Sequence, residues 1–322
     1  NLIFHLLFSH TFLYNQITII TKKGDHMNFL YFLANHRTDI GDTFFSLITK
    51  LGEETIIILI LCLLFWCINK NFAYKLSLGY FFAGLTIQGL KIAFRIPRPW
   101  IIDPTFKPVK SAIAKATGYS FPSGHTNNAT TLFGFLGIHG QKMWQRIVTA
   151  LIICLVGFSR MYLGVHTPSD VLVSFIISIT IVILISLFYH PEKQSFLNDC
   201  ILLTIFFIFS IGLLMFSLSL FYQQLITAAY VSDCVKAAGA GIGFAFAYFI
   251  ERQYIQFSTK AKKLWQQILK YLIGLSVVYA IKFGLKLFIG TTLFAQGIRY
   301  FLLVIWIIAI WPWIFSHFTS NP

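Results

Sequence analysis

Charge is scarce in this chain. Only 11% of its 322 residues are Asp, Glu, Lys or Arg, against 57% that are hydrophobic. That balance excludes an ordinary soluble domain and points to a bilayer. Acids are the scarcer charged type, 11 against 25 Lys and Arg. They form no cluster of the kind that holds magnesium or calcium, so we expect chemistry without a metal and no cofactor. Cysteine is limited to Cys62, Cys67, Cys154, Cys200 and Cys234 with no C-x-x-C spacing. This argues against a disulfide framework or zinc site and predicts free, buried thiols. No basic stripe alternates with exposed aromatics, so nucleic acid is not an expected partner. The formal charge of +14 reads instead as topology plus anion handling. Asn1 to Thr21 is apolar but has neither a cationic leader nor a small-residue cleavage site, unlike a signal peptide.

What the chain has in abundance is long apolar runs. A spanning helix needs about 20 mostly apolar residues, and such stretches fall near 51–69, 72–94, 124–140, 144–159, 168–189, 199–221, 228–250, 264–289 and 298–316. We therefore expect an all-α, polytopic transmembrane bundle of about nine spans. The stretches 124–140 and 144–159 are short, and the first begins polar, which places them inside the bundle rather than against lipid. Residues 1–50 form an N-terminal segment. The chain opens on Asn1 and breaks to polar residues at Lys22 to Asp25, so one reading starts the native protein at Met27 and treats 1–26 as foreign. A longer N-terminal span is the other reading. Asn28 to Lys50 reads as an interfacial helix, with Phe29, Phe32, Leu33, Phe44, Phe45 and Leu47 as its apolar contacts.

Against this apolar background three polar blocks stand out: K-x6-R-P from Lys91 to Pro99, P-S-G-H from Pro122 to His125, and S-R-x5-H-x3-D from Ser159 to Asp170. Ionisable residues in membrane segments are costly and call for a reason. Pro97 and Pro99 end a helix and put Arg95 and Arg98 at its mouth, with Lys91 about two turns deeper. Alone, Lys91 would read as a snorkelling cation. Between the first two blocks runs a loop carrying Lys107, Lys110 and Lys115 with Asp103 as its single acid. A basic lid and a solvated loop fit it equally. Pro122-Ser123-Gly124-His125 opens a helix, whose free N–H groups and positive dipole end form an anion site. Ser123 serves as cap and as phosphate donor, and Gly124 permits close backbone approach. Thr167-Pro168-Ser169-Asp170 starts another helix, with Thr167 as cap. Asp170 would stabilise that N-terminus unaided, yet it is also placed to reach the ring of His166.

Together these groups suit cleavage of a phosphate ester, which requires neutralised phosphoryl oxygens, an in-line nucleophile and a proton donor for the leaving group. Arg98 and Arg160 offer forked donors and Lys91 a compact charge, while Ser123 and the Gly124 N–H complete the cradle. A carboxylate on one ring nitrogen of His166 would leave the other free to attack phosphorus. His125 is then the general acid, and afterwards the base that activates water.

The three blocks resemble the signature of the type 2 phosphatidic acid phosphatase superfamily, integral-membrane lipid phosphatases related to glucose-6-phosphatase. Every motif position is filled over about a quarter of the chain. The resemblance implies phosphate ligands at Lys91, Arg98, Ser123, Gly124 and Arg160, the acid at His125, the nucleophile at His166 and its orienting acid at Asp170. It also implies a six-helix core, placed at 51–221, with 222–322 as additional C-terminal helices, an externally facing site and metal-free hydrolysis.

Loop charges give an orientation. If the blocks share one face, the opposite loops hold Lys70, Lys75, Lys142, Arg146, Lys193, Arg252, Lys260, Lys262 and Lys263, which makes those loops cytoplasmic. The expected location is a bacterial cell membrane with the site facing outwards. The expected substrate is a phosphorylated membrane lipid, with a soluble sugar phosphate as the enzymatic rival and a transporter or scaffold on the same fold as a third reading. Within the C-terminal helices, Asp233, Lys236, Lys282 and Lys286 read as a structural ion pair such as Asp233 with Lys282, or as a secondary anion site, and Gly239 and Gly243 as a close-packing face.

Overall fold

The protein is described by a computed structural model that covers residues 23–114, 116–261 and 263–319. The expectations for residues 1–26 and for Lys115 fall largely or wholly outside these residues. Among the described residues the chain forms helices and no strands. In chain order the main ones are α1 Lys23–Asn35, α2 Asp39–Ile48, α3 Glu54–Leu63, α4 Lys70–Phe94, α5 Gly124–Ile138, α6 Met143–Tyr162 and α7 Pro168–Phe188. They continue as α8 Phe196–Tyr222, α9 Ala228–Ile250, α10 Leu264–Tyr279, α11 Leu293–Ile305 and α12 Trp311–Thr319.

Seven helices among the described residues are long and apolar enough to cross a membrane, or eight if the pair 39–52 and 54–68, broken at Glu53, counts as one span. The protein is an integral, multi-pass membrane protein. The count falls short of nine for two physical reasons. The stretch near 124–140 makes only the 15-residue α5, about 22 Å at 1.5 Å per residue, too short to span. Ten of its 15 residues are buried, including Asn127, Thr130 and Thr131, as expected of a helix largely enclosed by protein. The stretch near 51–69 qualifies as a span only together with the preceding residues 39–52.

The chain packs into two compact units, residues 1–54 with 86–180 and residues 55–85 with 181–322. Packing is a different criterion from the motif-based boundaries at 51 and 222, and α4 belongs to both units. In the first unit α5 and α6 pack against one another and both meet the turn Thr49–Gly52. A Cβ at Gly52 would collide with the His125 carbonyl, so only glycine lets this turn lie on the start of α5. The N-terminal segment is tied down by polar bonds. Arg37 donates through Nε to the Tyr162 carbonyl at 2.9 Å and through Nη1 to the Lys107 carbonyl at 2.7 Å. Tyr31 donates to Asp103 Oδ2 at 2.9 Å. Leu33 is buried, while Phe29, Phe32, Phe44 and Leu47 remain exposed.

In the second unit α9 runs closely beside α8 and α11. Gly239 faces the Gly297 backbone and Gly243 the Phe301 backbone, with no room for a Cβ at either, so the G-x-x-x-G pair serves helix packing within the chain. The two buried acids here are paired. Asp199, fully buried, accepts from Arg252 Nε at 2.9 Å, Tyr248 at 2.8 Å and Gln253 at 2.6 Å. Glu251, also fully buried, meets Lys70 at 2.8 Å. Lys270 donates to the Thr259 carbonyl at 2.9 Å and lies over the rings of Phe257 and Phe315.

Candidate active site

The third polar block is assembled by two backbone motifs only four residues apart. At the end of α6, Val165 N–H bonds to the Arg160 carbonyl at 3.1 Å and Gly164 N–H to the Met161 carbonyl at 2.9 Å. This pair is a Schellman motif, which requires a left-handed residue after the helix. Gly164 supplies it with φ of +75°. The chain therefore reverses sharply, and the His166 N–H also reaches the Arg160 carbonyl at 3.3 Å. Two residues later α7 begins with a reciprocal cap: Thr167 N–H donates to Asp170 Oδ2 at 2.8 Å and Asp170 N–H to Thr167 Oγ1 at 3.4 Å. Arg160, His166 and Asp170 are each about 1% exposed.

The second block is fastened to the third. Ser123 N–H donates to the Asp170 carbonyl at 3.0 Å, and Ser174 Oγ donates to the Ser123 carbonyl at 2.6 Å. Ser123 caps α5, its Oγ accepting from the Thr126 N–H at 3.4 Å and from Thr126 Oγ1 at 2.9 Å. Because these bonds use its lone pairs, the Ser123 O–H proton stays available for donation.

Arg98 of the first block is held on several sides. Nε donates to the Gly118 carbonyl at 3.2 Å, Nη2 to the Thr117 carbonyl at 2.7 Å and Nη1 to the Val165 carbonyl at 2.9 Å. The same Nη1 lies 2.8 Å from His166 Nε2. Lys91 Nζ donates to the Tyr119 carbonyl at 2.6 Å, and Arg160 Nη1 to Thr49 Oγ1 at 2.7 Å. Arg160 Nε is buried without an acceptor among the described residues.

These contacts favour one tautomer of His166. A guanidinium only donates and a carboxylate only accepts. Nε2, facing Arg98, is therefore unprotonated, and Nδ1, 3.4 Å from Asp170 Oδ2, carries the proton. Burial, followed by the charges of Arg98, Arg160, Lys91 and His125, pushes His166 well below the ordinary imidazole range, which keeps the ring neutral.

All eight residues expected at the site, Lys91, Arg98, Ser123, Gly124, His125, Arg160, His166 and Asp170, belong to the first unit. The bonds above link Arg98 to His166, His166 to Asp170 and Asp170 to Ser123. Gly124 and His125 follow Ser123 as the first residues of α5, both partly exposed. Sequence reasoning missed two supporting hydroxyls. Ser120 donates to Asp170 Oδ2 at 2.5 Å, and Thr49 accepts from Arg160. Ser120 stands two residues before the P-S-G-H block, near enough to have been considered. Thr49 lies 111 residues before its partner, and no local pattern marks it. Among the described residues, no group of three His, Cys, Asp or Glu side chains is arranged to hold a metal ion.

Comparison with known proteins follows the same residues. The profile of the PAP2 superfamily matches residues 72–194, and that of the PAP2 superfamily phosphatase transmembrane extension matches residues 235–321. An undecaprenyl-diphosphatase, BcrC, of Bacillus subtilis is 30% identical over 167 residues, covering 48% of this chain and 80% of that protein. The chain belongs to the PAP2 superfamily. All three polar blocks lie within the part that the PAP2 profile matches. Two further relatives are 30% identical: a probable sphingosine-1-phosphate phosphatase of Dictyostelium discoideum over 164 residues (46% of this chain), and a phosphatidylglycerophosphatase B of Bacillus subtilis over 138 residues (36%). The chain spans 38% of the length of the first of these and 65% of the second.

Proposed function

We propose that this PAP2 superfamily protein hydrolyses the terminal phosphate of a phosphorylated or diphosphorylated membrane lipid through a phosphohistidine formed on His166. The observation that carries the reading is a neutral, buried imidazole, fixed between Arg98 at Nε2 and Asp170 at Nδ1. It belongs to the same unit as two further buried cations, Lys91 and Arg160.

In the proposed reaction Arg98 gives up its bond to Nε2 for one to a phosphoryl oxygen, a stronger, charge-assisted acceptor. Lys91, Arg160, the Ser123 hydroxyl and the Gly124 N–H neutralise the other oxygens. The Nε2 lone pair attacks phosphorus, the bond to the leaving oxygen breaks, and His125 protonates that oxygen. Asp170 stabilises the positive charge that develops on the ring. His125 then takes a proton from water, the resulting hydroxide attacks phosphorus, and the P–N bond breaks to release phosphate and restore neutral His166. No step calls for a metal.

The relatives named for sphingosine-1-phosphate, phosphatidylglycerophosphate and undecaprenyl diphosphate support the lipid class. They differ in the lipid carried, and the polar blocks read phosphate alone. A soluble sugar phosphate is the enzymatic rival, and a substrate panel separates the two. An outward-facing site rests on the cationic loops opposite the blocks. Filled motif positions speak against a non-enzymatic transporter or scaffold.

The deciding experiment is phosphate release from lipid, polyprenyl and sugar phosphates by purified protein beside a His166→Ala control. Turnover on lipid phosphates that disappears in the control is expected. Turnover confined to sugar phosphates, or unchanged in the control, would overturn the assignment.

A further inference from the structure

The second unit contains a cation that the proposed reaction does not use. Arg299 lies in α11 and is 7% exposed. Its Nε and Nη1 are buried with no hydrogen-bond partner, and no ion pair to Arg299 is found among the described residues. An unpaired buried guanidinium is among the costlier arrangements a protein can hold, because the charge loses its water and gains nothing in return.

No acid of the second unit is paired with it among the described residues. The second unit holds four acidic residues, Glu192, Asp199, Asp233 and Glu251. Glu192 accepts from Asn71 at 2.9 Å, Asp199 from Arg252, Asp233 pairs with Lys236 at 3.0 Å, and Glu251 pairs with Lys70. The helix register explains why Arg299 faces away from α9. Gly297, Phe301 and Val304 contact α9, whereas Ala295, Arg299 and Leu303 form a separate buried stripe at i, i+4, i+8.

Position along α11 suggests what the charge meets. Arg299 lies six residues into the helix, about 9 Å from its start. That start follows the uncharged turn Gly290 to Thr292 at one end of the span. Cα–Cβ bonds in a helix tilt towards its N-terminus, so the long side chain is carried back towards that membrane face and its headgroups. The anion present there in quantity is phosphate, whose oxygens the planar guanidinium fork fits.

We propose that Arg299, a residue outside the hydrolytic set, is the anchor of a second anion site that binds a phosphate group, with a phospholipid headgroup as its expected source. The site does not depend on the hydrolytic reading.

The test is thermal unfolding of delipidated protein in detergent, for wild type, Arg299→Leu and Arg299→Gln. The additions are phosphatidylglycerol, inorganic phosphate, or a phosphate-free galactolipid. Without lipid the variants should melt at or above the wild-type temperature, since they remove an unpaired charge. Phosphatidylglycerol should raise the wild-type Tm by at least about 2 °C and leave both variants unmoved, with the galactolipid inactive throughout. Because all three proteins retain the His166 site, phosphate binding there cancels in the comparison. An Arg299-dependent shift with inorganic phosphate alone would support the site and assign it to a soluble anion. Equal shifts in wild type and variants would overturn the proposal. So would variants that melt well below wild type, or fail to fold, before any ligand is added, since Arg299 would then be held by the protein itself.

Discussion

Asp170→Asn is the sharpest probe of the proposed chemistry. Asp170 Oδ2 accepts from the Thr167 N–H at 2.8 Å, the Ser120 hydroxyl at 2.5 Å and the His166 Nδ1–H at 3.4 Å. Asparagine retains one acceptor oxygen and the volume of the side chain, so the α7 cap and the fold should survive. What disappears is the negative charge facing an imidazole that becomes cationic when phosphorylated. A hydrogen bond to a charged group contributes about 1.5–3 kcal/mol. If that contribution is felt only once the ring is charged, kcat should fall about 10- to 150-fold. KM should change little, since Asp170 is not placed on the phosphate. Steady-state phosphate release gives both constants, and alkali-quenched turnover with a 32P-labelled substrate reports the phosphoenzyme directly, because a P–N bond survives base and not acid. A variant that folds and keeps kcat within about threefold, or whose loss falls entirely on KM, would refute the role assigned to Asp170.

Three more outcomes are expected. Ser120→Ala should lower kcat about fivefold through loss of one bond to Asp170. It should cost almost nothing further in the Asp170→Asn background, because Ser120 is a positioning residue acting through that carboxylate, and a double-mutant cycle measures the coupling. Gly164→Ala should destabilise the protein by about 1–2 kcal/mol from the left-handed backbone alone, and by more because the new Cβ would lie 2.9 Å from the Phe106 ring; denaturation in detergent reads the loss. The lowered pKa of His166 fixes the sign of its pH effects. The acid limb of kcat/KM should lie below the ordinary histidine value of about 6.5, since the nucleophile must be neutral. The stability gained by keeping the ring neutral is fully present above that pH and is lost as the pH falls through the folded value. An acid limb above pH 7 would contradict this assignment.

The sequence disclosed much of the arrangement because the relevant signals are local. Pro122 to His125 and Thr167 to Asp170 announce helix starts through capping chemistry, and α5 and α7 begin at Gly124 and Pro168. Helix ends were harder to foresee. π-helical stretches at Leu64–Ile68, Glu251–Ile255 and Trp306–Ile310 leave no trace in hydropathy. The break at Glu53 depends on a contact between Gly52 and His125, far apart in sequence. The same limit applies to the site: Thr49 and the Thr117, Gly118 and Tyr119 carbonyls hold cations by tertiary placement, and their types alone give no hint of it. In the second unit the sequence suggested Asp233 with Lys282 as the ion pair, and the structure pairs Asp233 with Lys236 one helical turn away, whereas the isolation of Arg299 emerges only once the acids of that unit have been assigned their partners.

The tight turn after α6 has a consequence for how the family can vary. Arg160 and His166 are separated by a single Schellman turn, and His166 is joined to Asp170 by a single helix cap, so the three move as one rigid body. An insertion or deletion anywhere between Arg160 and Asp170 would swing the nucleophile away from its phosphate ligand and its acid together. Relatives that diverge in substrate are therefore expected to keep the spacing within the third polar block unchanged.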